Sequence, residues 1–147
     1  MPTPIREAVL VAVAARLTAQ LSGVTVLRAH RAPLDPRKCP AVIVTGGGMD
    51  ADEDMSFGET QWRIGFSVAG YIKAATDLAA EQALSDLHAR VIAALQNHDL
   101  GPATIQPNIT GAEFELYSIE ESAAPAGEFN ASFEALAMTP AASPYAP

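Results

Sequence analysis

Cations vanish from this chain after Arg90. Beyond it stand Asp99, Glu113, Glu115, Glu120, Glu121, Glu128 and Glu134 without a single Lys or Arg, and the net charge is −8. A surface that grips nucleic acid needs clustered cations to neutralise phosphates, so this half of the chain would repel DNA rather than hold it. Cysteine is nearly missing too. Cys39 stands alone, which excludes an internal disulfide and argues against structural zinc. No apolar run approaches the roughly 20 residues of a membrane helix. The opening Met-Pro-Thr-Pro-Ile-Arg-Glu has neither the basic region nor the small-residue cleavage site of a signal peptide. A protein made in the cytoplasm, with no membrane partner, is expected.

Catalytic groupings are equally scarce. His30, His88 and His98 have no partners at ligand spacing. Gly46-Gly47-Gly48 follows an apolar strand, but no Lys-Ser/Thr comes after it to make a phosphate loop, and the three glycines read as a flexible turn. Asp50, Asp52 and Asp54 alternate as in a calcium loop. Met55, however, takes the glycine position, and Gln61 takes that of the bidentate glutamate. No catalytic residue, cofactor or metal ligand is nominated, and this acidic stretch reads as a hairpin tip.

What is present is an ordinary globular composition, 49% hydrophobic and 18% charged over 147 residues, enough for one domain with a real core. The longest period-two signal runs from Gln61 to Lys73. Trp62, Ile64, Phe66, Val68 and Ile72 share one parity, and Gln61, Arg63, Ser67, Tyr71 and Lys73 the other. That pattern predicts a long central strand with one apolar face.

Around it the chain reads in order. A helix opens at Thr3 and Pro4 and carries Ile5, Val9, Val13, Leu17 and Leu21 on one stripe, with Leu10 and Val11 extending the grease. Short strands follow at Val24–His30 and Ala41–Thr45, separated by a proline-rich loop. That loop gathers the only basic patch, Arg28, Arg31, Arg37 and Lys38. Thr76 or Asp77 caps a second helix with Leu84, Leu87, Val91 and Leu95 inward and a favourable Asp86–Arg90 pair outward; Gly101-Pro102 stops it. Thr104–Ile109 reads as a short edge strand because of Pro107. Ala112–Glu121 and Glu128–Thr139 then form an antiparallel hairpin. The expected fold is α+β: a single domain over residues 1–139, with an antiparallel or mixed sheet and two helices on one face. A loose proline-rich tail over residues 140–147 is expected to follow.

This layout resembles the tail terminator proteins of long-tailed bacteriophages and phage-like particles over about residues 4–139. The resemblance lies in the Pro-Ile-Arg-Glu-Ala-Val-Leu helix, the Val-Thr-Val-Leu-Arg-Ala and Cys-Pro-Ala-Val-Ile-Val-Thr strands, and the long strand ending Val-Ala-Gly-Tyr-Ile-Lys-Ala. The helix Leu-Ser-Asp-Leu-His-Ala-Arg-Val-Ile-Ala-Ala-Leu and the acidic hairpin complete it. Leu100-Gly101-Pro102 departs from the Leu-Gly-Gly common in that family.

The resemblance implies a virion protein of the tail or neck, assembled in the host cytoplasm. Its copies form a hexameric ring that caps the tail tube, stops its growth and joins it to the head. The implied partners are further copies, the tail-tube protein and a head-connector protein, with DNA passing but not gripped. Arg28, Arg31, Arg37, Lys38, Leu10, Val11, Asp50, Asp52 and Asp54 are the candidate contacts with neighbouring subunits or the tube. The alternatives are another head–tail joining or tube-associated protein, a small metal-dependent enzyme using Asp50, Asp52 and Asp54, and a monomeric binding module.

Overall fold

The computed structural model describes residues 2–29, 35–51, 58–100, 105–118, 124–140 and 143–147. Its elements are helix α1 (Ile5–Gln20), strand β1 (Thr25–Arg28), a 3-10 turn (Pro36–Lys38), strands β2 (Ala41–Ala51) and β3 (Glu59–Lys73), helix α2 (Asp77–Leu95), and strands β4 (Gln106–Ser118) and β5 (Pro125–Pro140). They build one five-stranded sheet in the order β1-β2-β3-β5-β4. β1 runs parallel to β2 and every other pair is antiparallel. The sheet is therefore mixed, and the fold is the α+β arrangement that the sequence predicts.

β3 lies in the middle, and its alternation is the reason. Ile64, Phe66, Val68 and Ile72 are buried with α1 and α2 in one core, while the residues between them remain half-open. β5 answers with Phe129, Ala131, Phe133, Ala135 and Ala137, each 2% exposed or less. Phe66 and Phe133 are register partners and stack with centroids 5.2 Å apart. Gly70 lies opposite Phe129. A Cβ on Gly70 would fall within the Phe129 ring, so glycine here makes room for the largest fully buried side chain.

The helices cover this apolar face. α1 buries Ile5, Val9, Leu10, Val13 and Leu17; α2 buries Ala80, Leu84, Leu87, Val91, Ala94 and Leu95. Thr76 caps α2 by accepting a hydrogen bond from the Ala79 N–H at 3.1 Å. Arg16 ties the two helices by donating to the Ala94 carbonyl at 2.9 Å, near the end of α2 where carbonyls lack partners.

Several local expectations are corrected. Thr3 does not cap α1; Pro4 holds that position without a side-chain bond, and the Ile5 N–H donates to the Pro144 carbonyl at 2.7 Å. The tail is accordingly not loose over residues 143–147. Ala146 N–H donates to the Thr3 carbonyl at 2.9 Å, and Ala146 packs on the core. Buried Thr139 adds a strap, accepting from Trp62 Nε1–H at 2.8 Å and donating to the Ser143 carbonyl at 2.7 Å.

Asp86 makes no ion pair with Arg90, which donates instead to the Ser22 carbonyl at 3.1 Å. Gly46–Gly48 are not a turn but lie inside β2, at a bulge between Gly46 and Met49. The two strands read around Pro107 and Phe114 are one strand, β4, with a bulge between Ile109 and Gly111. In each case an extra residue absorbs the change of parity. The Gly101-Pro102 stop lies outside the described residues.

Candidate interaction surface

The expected contact residues separate into three groups. Leu10 is a correction: at 3% exposure it belongs to the subunit's own core, whereas Val11 next to it is 49% exposed. The apolar stripe of β5 is likewise consumed inside the subunit. Of the basic patch, Arg28 is engaged with Glu7 through bonds of 2.6 and 3.0 Å. That pairing holds the Glu7 carboxyl below its usual range. Arg37 lies against Asp35, with Nη2 at 2.9 Å from Oδ2, and Asp35 also accepts the Arg37 backbone N–H at 3.0 Å. Lys38 is exposed at the end of the 3-10 turn. Arg31 lies outside the described residues.

Asp50 is exposed on β2 opposite Arg63, while Asp52 and Asp54 lie outside the described residues. Among the described residues, no three His, Cys, Asp or Glu side chains are grouped to hold a metal ion. Burial pushes the Cys39 thiol up, so it stays protonated and weakly nucleophilic at neutral pH.

A surface that sequence reading missed lies at the β4 edge of the sheet. Phe114 and Leu116 share the helix-facing side of β4, being register partners of Phe129 and Gly127, yet they are 52% and 44% exposed. With Glu81, Leu84, Ser85 and Glu115 they line a groove of about 400 Å³ between α2 and β4. Leu78, 64% exposed, lies three residues before Glu81 and so on the same helix face. His88 continues that face. Its ring meets Phe114 and Phe129 edge-on at 4.9 and 5.2 Å, and its buried Nε2 makes no hydrogen bond. Burial holds its pKa below the usual histidine value, because an imidazolium there would lose solvation without gaining a partner.

The sheet face turned away from the helices sets Tyr71 beside Glu128 and Glu115 near Tyr117. Glu128 and Glu115 are direct register partners on neighbouring strands. Burial first, and Glu115 second, pushes the Glu128 carboxyl up. Burial and then Glu128 do the same to the hydroxyls of Tyr71 and Tyr117. A shallow hollow of about 440 Å³ at the β4 bulge is lined by Thr110, Gly111, Ala112, Glu113, Asn130 and Ser132.

Neither a known family profile nor a curated protein matches the sequence. Among solved structures, a chain of the virion of a native gene transfer agent particle matches with a TM-score of 0.56 at 21% identity. The match covers 88% of this chain and 94% of that one. Coverage from both sides means that the layout is shared almost end to end, and at this identity the likeness is one of fold.

Proposed function

We propose that the chain is a structural virion protein of the tail terminator kind. Its copies close into a ring, hexameric in the resembling family, that caps the tail tube and meets the head connector. The observation that carries this reading is the near end-to-end fold likeness to a chain of a gene transfer agent virion. The distribution of charge supports it. Arg37 and Lys38 lie between β1 and β2 in the chain, while Glu113 and Glu115 stand on the edge strand β4. Unlike patches on one subunit suit a head-to-tail interface, which closes into a ring when the rotation per subunit allows it. The acidic second half suits a ring that lets DNA pass without holding it.

The test is mass. Light scattering over rising concentration, alone and with tail-tube protein, should show a species of about six times the 15.4 kDa chain. A chain that stays monomeric throughout both series would remove the ring reading.

A further inference from the structure

We propose that the groove between α2 and β4 is the seat of the neighbouring copy, and that it receives that copy's cationic end at Arg37 and Lys38. This inference rests on the ring reading and names the surfaces that meet.

The edge of β4 is closed over one part and not the other. The chain after α2 covers its first residues. Gln96 accepts the Ile109 N–H at 2.8 Å and donates to Asn108 at 3.2 Å. The Asn97 N–H donates to the Pro107 carbonyl at 3.2 Å, and the Leu100 N–H to the Ile105 carbonyl at 2.8 Å. None of these bonds continues past the bulge at Gly111. There the strand instead shows Phe114 and Leu116, two large apolar side chains about half exposed. Edge strands left open are ordinarily protected by charge, proline or a covering element. Among the described residues the covering stops where the apolar groove begins, and Leu78 continues the same face of α2.

Charge selects the occupant. Glu81 lines the groove and Glu115 stands between Phe114 and Leu116 at its β4 rim; the side chains of Glu115 and of Glu113, two residues away, leave the strand on the face turned from the helices. Two β4 edges brought together would set these carboxylates against their own copies, so a symmetric pair of like edges is disfavoured. The segment before β2 carries the complement. The Arg37 side chain is 90% exposed, and Lys38 is exposed with no ion pair among the described residues. Because Asp35 already neutralises much of Arg37, Lys38 is the principal counter-charge. Acid groove against basic end fixes a head-to-tail direction, and the apolar strip of Leu78, Phe114 and Leu116 supplies the desolvated centre.

The experiment uses the full chain at low salt, with association followed by light scattering and sedimentation. Leu78→Glu places a carboxylate in the first turn of α2, where the helix tolerates it; it should raise the dissociation constant at least about tenfold. Glu115→Lys and Lys38→Glu should each raise it about threefold to tenfold, and the two together should recover most of the loss. All three positions are exposed, so unfolding midpoints should stay near wild type.

Unchanged association in Leu78→Glu, or a charge-swapped pair no better than its worse single variant, overturns the seat while leaving the ring intact. Rings that still form but no longer stop tube growth would assign the groove to the tube protein, which also overturns it. A wild type that never associates removes the ring reading itself.

Discussion

Thr139→Val is the substitution that most directly tests how this domain is closed. Thr139 is 2% exposed and its hydroxyl serves twice, accepting from the Trp62 indole at 2.8 Å and donating to the Ser143 carbonyl at 2.7 Å. Valine keeps the shape and removes both bonds. An orphaned buried polar group costs about 1–3 kcal/mol. Both partners here are only partly buried, so water recovers some of that, and a total of about 1.5–3 kcal/mol is expected. At roughly 2.1 cal/mol/K of unfolding entropy per residue, each kcal/mol lowers the midpoint of a chain this long by about 3 °C. The expected fall is therefore about 5–9 °C.

The only tryptophan sits in the strap, so its fluorescence should shift in the native state before any unfolding. Amide exchange at Ile5 and Ala146, whose N–H groups bridge the tail and the N-terminal segment, should quicken. Thr139→Ser keeps the hydroxyl and should lose less than about 1 kcal/mol. A valine variant within 0.5 kcal/mol of wild type, roughly the scatter of ordinary surface substitutions, would refute this account, as would equal losses in the two variants.

Gly70→Ala should destabilise by about 1–3 kcal/mol, since the new Cβ collides with the buried Phe129 ring; a Phe129→Leu background should recover part of this, and strict additivity in denaturant titrations would count against the collision. Glu128→Gln should stabilise the fold at neutral pH. Burial and Glu115 raise the Glu128 pKa in the folded state above the ordinary glutamate value, so its favourable contribution is complete below that ordinary value and is lost as pH rises through the folded pKa. Wild type and variant midpoints should therefore converge near pH 4 and separate by pH 7; a variant less stable at pH 7 would reverse the sign and reject the cause.

Much of the fold could be read because it was written in periodicity. The parity of Trp62, Ile64, Phe66 and Val68 placed β3 at the centre, and the four-residue spacing from Leu84 to Leu95 oriented α2. Where the reading failed, an extra residue had interrupted the period. The bulges at Gly47–Gly48 and Thr110 made one strand look like a strand plus a turn, or like two strands. Leu10 and Val11 are neighbours of equal hydrophobicity, and only the helix rotation decides that one is core and the other exposed. The tail contacts were invisible because they are backbone bonds, which leave no mark on side-chain pattern. Nor did the β4 groove announce itself. Phe114 and Leu116 have the spacing of buried residues, and they are exposed only because α2 does not extend over that edge.

The glycine run in β2 has a mechanical consequence. Gly47 and Gly48 lie against Gly65 of β3, backbone to backbone, close enough that a Cβ on Gly47 would stand 3.1 Å from the Gly65 carbonyl oxygen. These three glycines bring no side chains to that line, and the two backbones can approach closely there. Arg6 of α1 reaches over it to donate to the Gly47 carbonyl at 3.1 Å, and a Cβ on Gly46 would occupy the Arg6 guanidinium's place. Arg6 thereby covers a patch of the sheet that has no side chains of its own. The strand ends beyond it stay joined to the body, through Met49 and Trp62 packed against the core and through the unbroken pairing of β3 with β5. A larger residue at Gly46 or Gly47 would therefore have to displace the Arg6 side chain or part the two strands, so this stretch of β2 is kept bare by what crosses it.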